Sequence, residues 1–239
     1  MSIPKVIHYC WFGKGELPNL AKKCIESWKE YCPEYEIIQW DESNFDINSN
    51  RYVKEAYEAK KYAFVSDYVR LYVLYNYGGI YMDTDVEVLK PLDYFLDNKA
   101  FSGFETKETL TTSIIGSIRK NEFFKLLLSY YDDKRFIADN GKYDMTTNVE
   151  IITKYCLKYG LKTNNEIQSI NGFVLYPIEY FSPKDYNTGK IKLTKNTYTI
   201  HHFSASWINK SDKFKQKIIR IIGPNITNWI VKIKKIICG

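Results

Sequence analysis

Short, dense apolar runs alternate along the chain with amphipathic stretches. Lys5 to Phe12 (KVIHYCWF) is rich in β-branched and aromatic residues and predicts a buried first strand, ended by Gly13-Lys14-Gly15. Leu17 to Tyr31 predicts a helix with Leu20, Cys24 and Trp28 on one face, stopped by Pro33, and Tyr35 to Trp40 predicts a second strand. Strand, helix and strand in that order imply a parallel pair and an α/β fold. Past a loop-like Asp41 to Asn50, the spacing predicts helices over Arg51 to Tyr62 and Ser66 to Tyr77, a cap at Gly78-Gly79, and a strand starting at Ile80. Further short strands are expected at Phe101 to Phe104, Ser113 to Gly116 and Thr197 to Phe203, and helices at Asn121 to Tyr131 and Asn148 to Tyr159.

Composition narrows the picture. The chain has 239 residues, enough for one α/β domain with a small appendage, and 45% of them are hydrophobic, which excludes wholesale disorder. Five cysteines with no CxxC pair argue against a disulfide framework and a cysteine zinc site. The first residues lack a basic stretch followed by a long apolar run, and no run of 18 apolar residues exists, so neither a signal peptide nor a spanning helix is expected, and the default setting is cytoplasmic. A net charge of +6 suggests a polyanion partner, but its distribution changes that reading: residues 210–239 hold eight bases against Asp212 alone, a net +7, and residues 1–209 sum to −1. The tail has two basic amphipathic segments broken by Gly223-Pro224, one around Ile218, Ile219 and Ile222, the other around Trp229, Ile230 and Ile233. That pattern suits an anionic membrane surface, with ordinary packed C-terminal helices as the alternative; nothing in it matches a nucleic-acid module, and no nucleic-acid partner is expected.

The chemistry concentrates after the Ile80 strand. Asp83 and Asp85 stand at i and i+2, where extended backbone turns both carboxylates to one side, suited to a hard divalent cation. Alone this is weak, since thirteen aspartates give about 0.7 such pairs by chance. Just upstream, Phe64, Tyr68, Leu71 and Tyr75 form one helical stripe, and Asp67 and Arg70 share another face at i and i+3, either as an exposed ion pair or as a charged pair facing the same cleft as the acidic pair.

The block Ser66 to Asp93 (SDYVRLYVLYNYGGIYMDTDVEVLKPLD) resembles the DxD-containing sugar-transferase family, glycosyltransferase family 32, which includes yeast α-mannosyltransferases, bacterial capsule and lipopolysaccharide glycosyltransferases and, distantly, clostridial glucosylating toxins. Ile3 to Gly13 is similar to that family's first strand, and His201-His202-Phe203-Ser204-Ala205-Ser206-Trp207 to its closing motif. The resemblance implies a GT-A fold, Rossmann-like with a mixed central sheet, over residues 1–209, with a basic amphipathic helical tail over 210–239. It implies Mn²⁺ or Mg²⁺, a nucleotide-sugar donor, UDP-sugar favoured, and a glycan or lipid-linked glycan acceptor, in capsule, lipopolysaccharide or exopolysaccharide synthesis, with retention of anomeric configuration. Residue by residue, it implies that Asp83 contacts the donor ribose and a metal-bound water, that Asp85 ligates the metal, and that Ser66, Asp67 and Arg70 hold the donor sugar. Trp11 corresponds to an aromatic stacking on the donor base, and Trp207, aided by Ser206, to a donor to the diphosphate. His202, five residues before Trp207, takes the place of a late metal ligand; His201 competes for it, because neighbours on a strand face opposite ways. Thr147 and Asn148 resemble a motif near the donor or acceptor sugar, or else cap a helix. Glu105 is assigned to the acceptor side, and His8 to local packing. Two other classes compete: a haloacid-dehalogenase-like phosphatase with Asp83 as nucleophile, and a non-catalytic membrane or glycan-binding module.

Overall fold

A computed structural model describes residues 2–204, and Ser206, Trp207 and the whole of residues 210–239 lie outside the described residues. Strand β1 (Val6–Cys10) runs parallel to β2 (Glu36–Trp40) on one side and to β3 (Gly79–Met82) on the other. The crossover between β1 and β2 is helix α1 (Asn19–Tyr31), and that between β2 and β3 is the pair α2 (Arg51–Glu58) and α3 (Tyr62–Tyr77). After β4 (Val86–Val88), strand β5 (Ala100–Gly103) and strand β6 (Ile114–Ser117) pair antiparallel, and β6 also pairs antiparallel with β3. Helices α4 (Glu122–Ser129) and α5 (Asn148–Lys158) precede the hairpin of β7 (Gln168–Ile170) and β8 (Phe173–Tyr176), in which β8 runs parallel to β5. The sheet order is therefore β2-β1-β3-β6-β5-β8-β7, a mixed seven-stranded sheet of the Rossmann-like kind expected of a GT-A domain. Helix α6 (Ile178–Phe181) and β9 (Thr199–His201) follow, and β9 leaves the main sheet to pair antiparallel with β4.

Alternation along the strands feeds two cores, one on each face of the sheet. Tyr81, Ile115 and Ala100 point to the side of Val53, Val69, Leu127 and Ile152 from α2, α3, α4 and α5. Ile7, Ile80, Met82, Ile114 and Phe101 point to the side of Trp28, Val86, Phe95 and Phe181. Helix α3 lies under the sheet with α2 and α4 against it, so it is buried nearly all round. Phe64 and Leu71 of the expected stripe are buried, Tyr68 and Tyr75 only partly so, and Val65, Val69, Val73 and Leu74 are buried with them.

The break between α2 and α3 falls at 59–61, not at the expected 63–65. Lys60 adopts φ 57°, Lys60 N–H donates to Tyr57 O at 2.9 Å and Lys61 N–H to Ala56 O at 2.8 Å. This is a Schellman closure with lysine where glycine is usual, so the sequence carries no glycine to mark it. At the other end of α3, Gly78 has φ 70° and Gly79 φ 103°, and a Cβ on Gly79 would stand 2.6 Å from Val6 O. Only glycine lets β3 start this close to β1.

His8 seals that junction from inside. It is fully buried; Trp40 Nε1 donates to His8 Nδ1 at 3.1 Å, which leaves the ring proton on Nε2 to donate to Gly78 O at 2.8 Å. Burial pushes its pKa down to about 4, against the opposing pull of the Gly78 carbonyl. Because this value lies below that of an unfolded histidine, the contribution is complete above about pH 6.5 and is lost as pH falls toward 4. Urea unfolding at pH 7 and pH 4.5 should show wild type losing on the order of 2 kcal/mol more than His8→Gln over that interval. Equal losses in the two proteins would contradict this role.

Candidate active site

The acidic pair stands where β3 leaves the sheet. Asp83 N–H still pairs with Ser113 O at 2.8 Å, as a continuation of the β3–β6 ladder, and Val86 N–H then closes on Asp83 O at 3.0 Å. Asp83 and Asp85 are thus gathered by a tight turn between β3 and β4, not by extended backbone, and both carboxylates lie on one side of it. The C-terminal ends of β1 and β3 open to the same edge, the usual place for a site in an open α/β sheet.

Strand β9 supplies the third group. Its register on β4 sets His201 opposite Val86, His202 N–H donates to Asp85 O at 2.9 Å, and Ser204 N–H donates to Asp85 Oδ2 at 2.7 Å. His201 Nε2 lies 3.5 Å from Asp85 Oδ1 and its Nδ1 3.2 Å from Glu105 Oε1. Asp83, Asp85 and His201 can each offer a ligand atom within 4.8 Å of the others. The structure therefore corrects the sequence expectation for the late ligand. Strand alternation turns His202 away, and its Nε2 bonds Glu87 Oε2 at 2.7 Å. Two hard carboxylate oxygens and one imidazole nitrogen fit a divalent ion such as Mn²⁺ or Mg²⁺, Mn²⁺ accepting imidazole more readily.

Arg70 joins this cluster to Asp67. Its Nη2 lies 3.1 Å from Asp67 Oδ1 and 3.4 Å from Asp83 Oδ1, its Nη1 donates to Thr112 O at 2.6 Å, and its Nε to Ser66 O at 3.3 Å. The guanidinium sits over the Tyr81 ring at 4.6 Å, and Tyr81 OH donates to Asp83 Oδ1 at 3.0 Å. Two guanidinium N–H groups thus donate to backbone carbonyls, while Nη2 faces both carboxylates. Asp67 is held from behind: Asn148 N–H, at the start of α5, donates to Asp67 Oδ2 at 3.1 Å, Asn148 Nδ2 donates to Asp67 O at 2.5 Å, and Tyr131 OH donates to Asn148 Oδ1 at 2.7 Å.

The electrostatics follow from these contacts. Burial raises Asp67 to about 6, with Arg70 pulling the other way. Asp83 is also raised, by burial and by Asp85, although Arg70 and its 28% open side chain temper the effect. Burial would raise Asp85 too, but hydrogen bonds from His201 and Ser204 outweigh it and hold the carboxyl below its usual range. Burial alone would lower His201; Asp85 and Glu105 outweigh it and raise it to about 10. A metal bound at His201 would take the place of that proton, since the ligand must offer a lone pair.

The other expected residues take different places. Glu105, assigned to the acceptor side, instead orients His201 and accepts from Thr111 Oγ1 at 3.3 Å, the outer carboxylate of a carboxylate–histidine pair. Thr147 caps α5 in a reciprocal box with Glu150 and Asn148 is fully buried behind Asp67, so neither faces a sugar. Ser66 Oγ is turned back to Tyr62 O at 3.1 Å, leaving its carbonyl to Arg70. Trp11 is half-buried just past β1, its Nε1 donating to Gly15 O at 2.6 Å, with its ring against the core of the α1 side. Sequence reasoning missed Tyr81, Thr112 and Tyr131; Tyr81 lies on β3 two residues before Asp83, Thr112 lies two residues ahead of β6, which pairs with β3, and Tyr131 carries no local signal.

Residues 18–102 match the family described as the glycosyltransferase sugar-binding region containing the DXD motif. The chain is 30% identical over 126 residues to an inositol phosphoceramide mannosyltransferase of Schizosaccharomyces pombe, covering 51% of this chain and 35% of that protein. It is 30% identical over 142 residues to a mannosyl phosphorylinositol ceramide synthase of Saccharomyces cerevisiae, covering 56% and 37%. An uncharacterised glycosyltransferase of Acanthamoeba polyphaga mimivirus is 25% identical over 199 residues, 77% of this chain and 76% of that one. The chain spans little more than a third of the length of the yeast proteins it matches. Among solved structures, a glycosyltransferase involved in glycosylation of the major capsid of PBCV-1 aligns over 90% of this chain and 99% of its own, at 13% identity and a TM-score of 0.47. The matched region carries Asp67, Arg70, Asp83 and Asp85, so the cluster described above lies within the part of the chain that is similar to the DXD-containing glycosyltransferase sugar-binding region.

Proposed function

We propose that this chain is a metal-dependent glycosyltransferase that moves a sugar from a nucleotide-sugar donor to a glycan or lipid-linked glycan. The observation that carries the reading is the single connected cluster in which Arg70 ties Asp67 to Asp83, beside the Asp83, Asp85 and His201 ligand set. Those three residues would hold Mn²⁺ in preference to Mg²⁺, and the ion would neutralise charge growing on the leaving nucleotide diphosphate. Asp67, tuned near neutrality and fixed by Asn148, accepts hydrogen bonds from the sugar hydroxyls, and Arg70 donates to the same sugar. Trp11 stacks on the donor base, and Ser206 and Trp207 reach the diphosphate. A UDP-sugar donor, retention of configuration and a role in bacterial capsule, lipopolysaccharide or exopolysaccharide synthesis complete the proposal. The yeast relatives are named for transfer to inositol phosphoceramide, which supports a lipid-linked acceptor. Residues 1–209 form the catalytic domain and residues 210–239 attach it to an anionic membrane surface, on the cytoplasmic face; among the described residues no helix is long and apolar enough to cross a membrane. The phosphatase reading gives no task to Arg70 or His201.

The test is a screen of UDP- and GDP-sugars with Mn²⁺, following donor hydrolysis and transfer, together with Mn²⁺ titration of two variants. His201→Ala should weaken Mn²⁺ binding at least tenfold, and His202→Ala should stay within about threefold. Turnover of none of the donors, or the opposite order of the two histidines, would overturn the assignment.

A further inference from the structure

Between α6 and β9 the chain leaves the sheet over residues 183–196 and returns beside the candidate site. Lys184 pairs with Ile191 across an antiparallel bridge, Asp185 N–H donates to Lys190 O at 2.9 Å, and Gly189 N–H donates to Asp185 O at 2.8 Å. The one acid of this hairpin is used within it: the Asp185 carboxylate accepts from Thr188 N–H at 2.6 Å and from Thr188 Oγ1 at 2.8 Å. Against it stand Lys184, Lys190, Lys192 and Lys195. Ile191 is 45% exposed and Leu193 56% exposed, an aliphatic pair at i and i+2 in a segment with exposed lysines at 190, 192 and 195.

Two large aliphatic side chains in water, interleaved with lysines, with the segment's one acid tied down within it and Glu179 engaged by Asn196 at 2.7 Å, are the composition that a negatively charged lipid interface rewards. The aliphatics leave water for the headgroup boundary while the lysines keep their ammonium groups at the phosphates. The hairpin is also fastened to the site. Lys184 Nζ donates to His202 O at 2.8 Å, one residue past His201, the Tyr186 ring packs on Phe203 at 5.3 Å, and Lys90 Nζ bonds Lys195 O. From Ser204, whose N–H holds Asp85, the sequence continues into the strongly basic residues 210–239.

We propose that the 183–196 hairpin is a docking surface for an anionic lipid bilayer, which sets the mouth of the candidate site at the membrane plane. This rests on the membrane-surface reading of residues 210–239 and adds to it a contact made by the folded body. It accounts for why the exposed aliphatics lie on the segment tied to the β9 end, where a lipid-linked acceptor would meet the donor.

The test uses the full chain and phosphatidylcholine vesicles with and without phosphatidylserine. Lys190→Glu/Lys192→Glu should weaken partitioning to phosphatidylserine vesicles by about tenfold or more, and Ile191→Ser/Leu193→Ser by roughly tenfold, with Mn²⁺ affinity and unfolding temperature unchanged in both. Lys232→Glu/Lys234→Glu/Lys235→Glu probes the tail separately. Wild-type partitioning by both hairpin variants would overturn the hairpin proposal, and it would leave the tail reading standing if the tail variant alone loses binding. Tighter binding by the hairpin variants would also overturn it, because it would mean that the hairpin holds the chain's own tail rather than lipid. A tail variant that binds as wild type while the hairpin variants lose binding would remove the tail reading and keep the hairpin.

Discussion

Asp85→Asn should lower Mn²⁺ affinity by about a hundredfold and sugar transfer by roughly 10²- to 10³-fold, while the protein stays folded. The amide keeps an oxygen to accept the Ser204 N–H, which now reaches Asp85 Oδ2 at 2.7 Å, so the β4–β9 ribbon keeps that bond. What disappears is the charge. Asp85 is the carboxylate that His201 and Ser204 hold below its usual range despite burial, so it is fully ionised at neutral pH and is the ligand best prepared for a cation. The asparagine also takes away the charged partner of His201 Nε2, leaving Glu105 to hold Nδ1, which weakens the orientation of the imidazole. Glu87→Gln is the matched control. Glu87 lies two residues further on, and its carboxylate faces His202, away from the cluster. Its variant should bind Mn²⁺ and transfer sugar within about threefold of wild type. Isothermal titration with Mn²⁺ and donor-hydrolysis rates measure both, and an Asp85→Asn protein that binds Mn²⁺ like wild type would remove Asp85 from the ligand set.

Much of this arrangement was legible in the sequence where the signal was local. The β1–α1–β2 unit and the strand after Gly78-Gly79 are written in hydrophobic period and glycine punctuation, and the structure places them within a few residues of expectation. Asp67 and Arg70 at i and i+3 form a buried pair beside Asp83, not an exposed one. What was hidden depends on register or on tertiary partners. The choice between His201 and His202 is decided by which residue of β9 stands opposite Val86, a fact of strand pairing that the spacing to Trp207 does not contain. Lys60 at φ 57° closes α2 without a glycine, so the break read four residues late. The β7–β8 hairpin carries a visible marker: Asn171-Gly172, at φ 51° and φ 85°, is a tight turn, but it follows the largely polar Gln168–Ile170, so only the apolar Phe173–Tyr176 on its far side has a strand's composition. Asn148 is the subtler case. Its sequence position suits either a cap or a sugar contact, and only the fold shows a third use, in which its backbone and side chain both grip Asp67 and Tyr131 fixes its amide.

The same grip makes Arg70 the residue on which site and stability meet. Arg70→Met removes the one cation between Asp67 and Asp83 in a site where Asp67 is 8% exposed and Arg70 5%. Breaking a buried pair from one side leaves an uncompensated charge and costs about 3–5 kcal/mol, which for a domain of this size lowers the melting temperature by roughly 6–20 °C. Lysine is no remedy, because one ammonium cannot reach Asp67, Asp83, the Thr112 carbonyl and the Ser66 carbonyl as the planar fork does. The deficit should depend on pH in a direction the site fixes. Asp67, with its pKa already near 6, is neutral in the folded protein at pH 5 and ionised at pH 8. A carboxyl raised above its unfolded value loses stability as pH climbs through the folded value, and without Arg70 the rise is larger. The gap in melting temperature between wild type and Arg70→Met should therefore be small at pH 5 and widest at pH 8. Adding Asp67→Asn to Arg70→Met should narrow the pH 8 gap without restoring transfer, since the amide takes away the stranded charge but not the need for a fixed acceptor at the sugar. Scanning fluorimetry of the three proteins at both pH values decides the matter. A gap that is the same at pH 5 and pH 8, and that Asp67→Asn leaves unchanged, would mean that Arg70 acts as a packing residue and that the charge network is incidental to the fold.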